Sequence, residues 1–226
     1  MGIHDGHREH MRQRYLAGGL EGFADHEALE LLLYYAIPRR DTNPIAHALM
    51  DRYGSLSAVL TAPVEDLKKV EGIGESAAIL LRLAPQVYQK AQLAEYERDM
   101  PMSSVTAVGK YLTERFIGER NEVVYQLCLD QKAKLLACKR LGEGGVASAD
   151  LDIRKMMEHV IATGASAVIL AHNHPSGVAA PSDDDWVATR KARAALQTVR
   201  VALVDHVVVA DGDFVSMRQT RREEFD

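Results

Sequence analysis

From His7 to about Gln92 the apolar residues recur three and four positions apart, with breaks at 17–23, 38–43, Gly54 and 71–74. That spacing predicts several short helices packed as a small bundle. ADHEALELLLYYAI reads as a helix with Asp25 at its N-cap. TNPIAHALMDRYG reads as one that starts at Thr42 or Asn43, carries Pro44 in its first turn and stops at Gly54. The stretch Leu93 to Ser104 mixes charge, a proline and small polar residues, the composition of a linker. After one more helix, about Ser103 to Phe116, the period changes. EVVYQLCLD, KLLACKRL, SAVILAHNH and RVALVDHVVVADGDFVSM are short, aliphatic and bounded by glycine or charge, as strands are. Helical patterns at about Asp150 to Thr163 and Ser182 to Thr198 lie between them. The expected fold class is α+β: a small all-helical domain over 1–95, then a mixed sheet flanked by helices over 103–226.

Composition alters this picture little. Of the 226 residues 47% are hydrophobic and 26% charged, which is ordinary for a globular chain. The net charge of −5 supplies no general attraction to phosphate backbones or anionic membranes. Cys128 and Cys138 both lie in apolar strand patterns, which predicts buried thiols and not a disulfide framework. MGIHDGHREHMRQRYL lacks the apolar core of a signal peptide, and no run approaches the roughly 18 apolar residues of a membrane span. A soluble, cytoplasmic protein is expected.

The chemistry concentrates in AHNHPSGVAAPSDDD, Ala171 to Asp185. Residues two apart on a strand face the same way, so His172 and His174 project together. The chain then turns and can open a helix at Ser182, which returns Asp185 towards the imidazoles. Two imidazoles and a carboxylate leave one tetrahedral position open, the ligand count of a catalytic zinc site. Such a site also needs a carboxylate off the metal to manage protons. Several acids qualify by position, Glu122 at the start of EVVYQLCLD among them.

The string His172-x-His174-Pro175, six residues, Ser182, two residues, Asp185 resembles the JAMM signature of the MPN metalloenzyme family. Chance odds of such a match are on the order of one in 10^5. AVILAHNHPSG, LVDHVVVADGDFVSM and Glu122 at a strand start together resemble the bacterial RadC-type branch, and the helical first half is similar to that branch's companion domain. The resemblance implies an MPN-like fold and one zinc ion held by His172, His174 and Asp185. It further implies Glu122 as general acid/base and Ser182 as a stabiliser of the oxyanion. The activity implied is zinc-dependent hydrolysis of a peptide or isopeptide-like amide, with a protein or peptide as substrate. SADLDIRKMME departs from the His-Pro-Arg-Glu segment of many RadC-type chains, with no ligand lost.

Local readings compete with these. Ser182-x-x-Asp185 is also a helix-capping pattern, and both roles can coexist. Asp183 and Asp184 are expected to face solvent. His206, inside LVDHVVVA, reads as a hydrogen-bonded structural histidine beside Asp205. The remaining histidines read as surface or packing residues. LKKVEGIGESAAILL resembles a helix-hairpin-helix whose Gly72, Ile73 and Gly74 turn could hold a DNA phosphate. This supports an alternative function as a DNA-binding or repair-associated accessory protein. Against it, residues 1–100 hold 11 basic and 15 acidic side chains, with Glu71 and Glu75 flanking the turn.

Overall fold

The structure is a computed structural model that describes residues 3–99, 101–144 and 151–225. The chain divides into two compact units, residues 1–88 and 89–226. The first holds α1 (Ile3–Gly18), α2 (Asp25–Leu33), α3 (Asn43–Tyr53), α4 (Leu56–Thr61), α5 (Val64–Leu67) and the start of α6 (Glu75–Asp99). Its core is the expected helical stripe, with Leu29, Leu33, Ile45, Leu49, Val59, Leu67, Ala78 and Leu81 buried together. Thr42 caps α3, Pro44 follows in the first turn, and Gly54 ends the helix at φ 79, a left-handed conformation that glycine adopts without a Cβ penalty. For α2 the N-cap is Ala24 and not Asp25. Asp25 is already helical, and the Ala24 N–H donates to the Glu27 carboxylate at 3.0 Å.

The second unit carries the end of α6, then α7 (Val105–Arg115), β1 (Val123–Leu129), β2 (Leu135–Glu143), α8 (Ile153–Thr163), β3 (Ala167–Asn173), α9 (Asp183–Thr198), β4 (Ala202–Ala210), β5 (Asp213–Ser216) and α10 (Met217–Thr220). Among the described residues the strands form one mixed sheet in the order β2-β1-β3-β4-β5. Only β3 and β4 run parallel, and α9 makes the crossover that such a pair requires. The α+β class is therefore the observed one, consistent with an MPN-like domain.

The period of two divides the strand residues between two cores. Val124, Val168, Leu170 and Val208 face α8 and α9. Tyr125, Leu127, Leu129, Ile169, Ala171, Val207 and Val209 face α7.

Three expectations are corrected. The stretch read as a linker is packed structure. α6 runs through to Asp99, and Leu93 and Met102 are buried in the second unit's core. Its apolar positions are sparse, so the periodicity is faint in sequence, but Leu93 and Tyr96 stand one helical turn apart and both meet that core. The stretch 200–217 is two antiparallel strands. Asp211 and Gly212, at φ 46 and 79, supply the two left-handed residues of a tight hairpin turn between them. The helix expected from Asp150 begins at Ile153, capped by Asp152, while 148–150 of the departing segment lie outside the described residues.

Gly109 on α7 lies against Phe214, and a Cβ there would fall 2.2–2.4 Å from three ring atoms. Alanine would gain about 1 kcal/mol of helix propensity. Overpacking of this kind costs about 1–3 kcal/mol, and the rigid ring would have to leave its seat. Gly109→Ala is expected to lower stability by up to about 2 kcal/mol, read as a reduced denaturant midpoint at unchanged slope.

Candidate metal centre

β3 delivers His172 to the α9 side of the sheet, where it is completely buried. His174 follows just beyond the strand, its N–H donating to the Val209 carbonyl of β4 at 2.8 Å. The two Nε2 atoms lie 3.0 Å apart. Ser182 caps α9 by accepting from the Asp185 N–H at 3.2 Å, and Asp185 turns inward, 1% exposed. Its Oδ1 lies 3.2 Å from His172 Nε2 and its Oδ2 3.7 Å from His174 Nε2.

Glu122 arrives through strand register. Val124 pairs with His172 across β1 and β3, and continuing that antiparallel register by two residues sets Glu122 opposite His174. One ligand atom each from Glu122, His172 and His174 lie within 4.8 Å of one another. Every sequence-predicted site residue of the second unit is therefore gathered at one place. Burial falls from His172 and Asp185, through a His174 side chain 18% exposed, to an exposed Ser182. One side of the cluster is thus open to solvent.

The hydrogen bonds determine where the imidazole protons sit. His174 Nδ1 is 2.9 Å from the Val178 carbonyl, which can only accept, so Nδ1 carries the proton and Nε2 a lone pair. A longer chain orders His172. Thr189 Oγ1 is 2.6 Å from the Asp185 backbone carbonyl and must donate its single proton there. The Met217 sulfur, at 3.8 Å, is too distant and weak an acceptor to compete. Thr189 Oγ1 therefore accepts from His206 Nδ1 at 2.7 Å. His206 Nε2 in turn accepts from His172 Nδ1 at 2.9 Å. Burial first, and then the neighbouring His172, push the His206 pKa well below the usual histidine value, which keeps this ring neutral.

Two lone pairs and a carboxylate thus face one another. Burial pushes the Asp185 carboxyl up, but the adjoining His172 imidazole and two hydrogen bonds from Ser182 overcome this and hold it well below the usual carboxylate range. Donors of this kind are able to share a cation. Around a tetrahedral ion with bonds of about 2.0–2.1 Å, neighbouring donors stand about 3.3 Å apart. The 3.0 Å between the imidazole nitrogens and the 3.2 Å from Asp185 Oδ1 to His172 lie close to that value, and the donor types fit a divalent metal.

Ser182 is bound to the same carboxylate twice, through its N–H and its hydroxyl, each 2.7 Å from Oδ2. Its capping contact coexists with these contacts to the carboxylate. Asp183 and Asp184 face solvent, as expected.

Sequence reasoning missed two residues, Asn173 and Thr189, and read a third, His206, as structural only. Asn173, on the opposite sheet face, accepts from the Val123 N–H at 2.8 Å and donates to the Asn121 carbonyl at 3.0 Å, bracketing the backbone of Glu122. Its signal was the x of His-x-His, a polar residue aimed into an apolar face. Thr189 stands four residues after Asp185 on the inner face of α9, and His206 is hydrogen-bonded as expected, but to His172. The other described histidines hold no second cluster. His26 and His47 stack at 4.3 Å, while His7 meets Glu30 and His159 meets Gln126.

The 72–74 turn joins α5 to α6. Gly72 sits at φ 91, and a Cβ there would lie 2.6 Å from Ile45 Cδ1. Val70, Ile73 and Ala77 are buried beside it, and Lys68 and Lys69 pair with Glu65 and Asp66. Cys128 and Cys138 are free thiols, and among the described residues no helix is long and apolar enough to cross a membrane.

Residues 102–223 match the family model described as RadC-like JAB domain. A "UPF0758 protein" of Ruegeria pomeroyi is 33% identical over 212 residues, 94% of this chain and 95% of that one. Another from Rhodobacter capsulatus is 34% identical over 208 residues, 92% and 97% of the two chains.

Proposed function

This chain belongs to the RadC-like JAB domain family, and from that premise we propose that it is a zinc-dependent hydrolase of peptide or isopeptide-like amide bonds. The observation that carries the reading is the meeting of the His172 and His174 lone pairs with the Asp185 carboxylate. His172, His174 and Asp185 hold the ion. Asp185 is preferred to Glu122 as third ligand because it is buried, held ionised and has one oxygen 3.2 Å from His172 Nε2 and the other 3.7 Å from His174 Nε2. A bound zinc ion supplies Lewis-acid charge and lowers the pKa of water to about 7.

Glu122 takes the proton of the attacking water and returns it to the nitrogen of the breaking amide, so that an amine leaves and not an amide anion. Asn173 keeps that carboxylate on station by holding the backbone on both sides of it. Ser182 turns its hydroxyl from Asp185 to the developing oxyanion, while its N–H keeps the carboxylate in place. The open side at His174 and Ser182 admits the substrate.

The test is metal analysis of protein purified without chelator, followed by turnover assays on peptide and isopeptide-linked substrates. One zinc per chain and cleavage are expected, and protein without zinc would sink the reading. Imidazoles must be unprotonated to bind, whereas Asp185, held low, stays ionised through mild acid. Lowering the pH from about 7 to 5 should therefore weaken zinc binding, because protons and metal compete for the same imidazole lone pairs. Chelator competition at successive pH values checks this, and an affinity flat over that range would contradict it.

A further inference from the structure

We propose that His206 and Thr189 are positioning residues that choose which nitrogen of His172 is free for metal, so that a buried hydroxyl two hydrogen bonds from that ring sets the protein's zinc affinity. The proposal rests on the zinc reading above. Its ground is the direction of one hydrogen-bond chain.

The chain ends on the Asp185 backbone carbonyl, which has no proton to give. Thr189 spends its only proton there, so His206 must present N–H to Thr189 and a lone pair to His172. His172 then carries its proton on Nδ1 and leaves Nε2 bare. Reversing any link would require the carbonyl to donate. His172, Thr189 and His206 are all completely buried, so no solvent molecule can substitute for a missing partner.

The order matters because a competing arrangement is close by. If the proton of His172 sat on Nε2, it would point at Asp185 Oδ1, 3.2 Å away, and form a hydrogen bond where the ion belongs. That tautomer needs His206 to donate from Nε2 and accept at Nδ1. The Thr189 hydroxyl, committed to the carbonyl, forbids it. The relay therefore removes the metal-blocking tautomer without touching the ion. Asp185 supplies both ends, its side chain meeting the imidazole and its carbonyl ordering the relay.

Thr189→Val keeps the shape and deletes the acceptor, leaving His206 Nδ1–H unpaired and its other tautomer favoured. Thr189→Ser keeps the hydroxyl. Zinc affinity, measured by competition with a chromophoric chelator, should fall about 10–100-fold in Thr189→Val and stay close to wild type in Thr189→Ser. Ring nitrogen chemical shifts of zinc-free protein, taken at a pH where imidazoles are neutral, should show His172 protonated on Nδ1 in the wild type and shifted towards Nε2 in Thr189→Val. Equal zinc affinity in Thr189→Val and wild type overturns the proposal. So does a wild-type His172 protonated on Nε2, a result that needs no variant to fold. Wild-type protein that binds no zinc sinks the function proposed above, whereas wild type that binds it with Thr189→Val unimpaired sinks only this inference.

Discussion

His172→Ala is expected to leave the protein without stoichiometric zinc and without the rise in melting temperature expected when zinc is added to the wild type. The binding free energy of a fully ligated protein zinc site is about 10–16 kcal/mol, so one ligand of three carries about 4 kcal/mol, a loss on the order of 10^3-fold in affinity. Loss of His172 does more than remove a donor. It leaves the buried Asp185 carboxylate without its partner at 3.2 Å and His206 without the group its Nε2 accepts from. Zinc-free folding should therefore weaken as well, by the cost of a cavity and of the donor lost to His206 Nε2. Metal analysis of the purified variant, with thermal melts with and without zinc, checks both parts. A variant that keeps one ion per chain and the wild-type melting shift would remove His172 from the ligand set.

Glu122→Gln should behave in the opposite way: zinc retained, turnover lost. Glutamine preserves size and can still hydrogen-bond, but it cannot take a proton from water or deliver one to a leaving nitrogen. General acid–base catalysis contributes about 10^2–10^4, and a fall of that size is expected on any amide that the wild type cleaves. Asp185→Asn is the informative contrast, because it should lose metal and turnover together. Glu122 is the acid whose donor clusters within 4.8 Å of both imidazole nitrogens, so the two acids compete for one assignment. Zinc lost from Glu122→Gln and kept by Asp185→Asn would exchange their roles.

How much of this was legible without coordinates depends on the range of the interactions. His172 and His174 share a face because of strand period alone, and Ser182 to Asp185 is a cap of a single turn. The helices of the first unit carry their start and stop residues within their own segments, as Pro44 and Gly54 do for α3. Where the local signal was thin, the reading erred. Leu93 to Ser104 looked like a linker because its few apolar side chains reveal their purpose only against the core formed by Tyr111, Leu127 and Val207. Asp211-Gly212 was a turn signal lost inside a long aliphatic run.

By itself the sequence determined the α+β class, a helical half followed by strands with helices between them, and the donor types able to meet at one turn, since each follows from periodicity and capping within a few residues. Tertiary structure alone decided that Glu122 stands opposite His174, that Asn173 brackets it, and that Thr189 and His206 order the protons of His172. These partners lie 17 to 52 residues apart and meet only through sheet register and the α9 crossover. Directional hydrogen bonds depend on distances of tenths of an ångström, which no spacing along a chain encodes until the packing of the whole unit has set them.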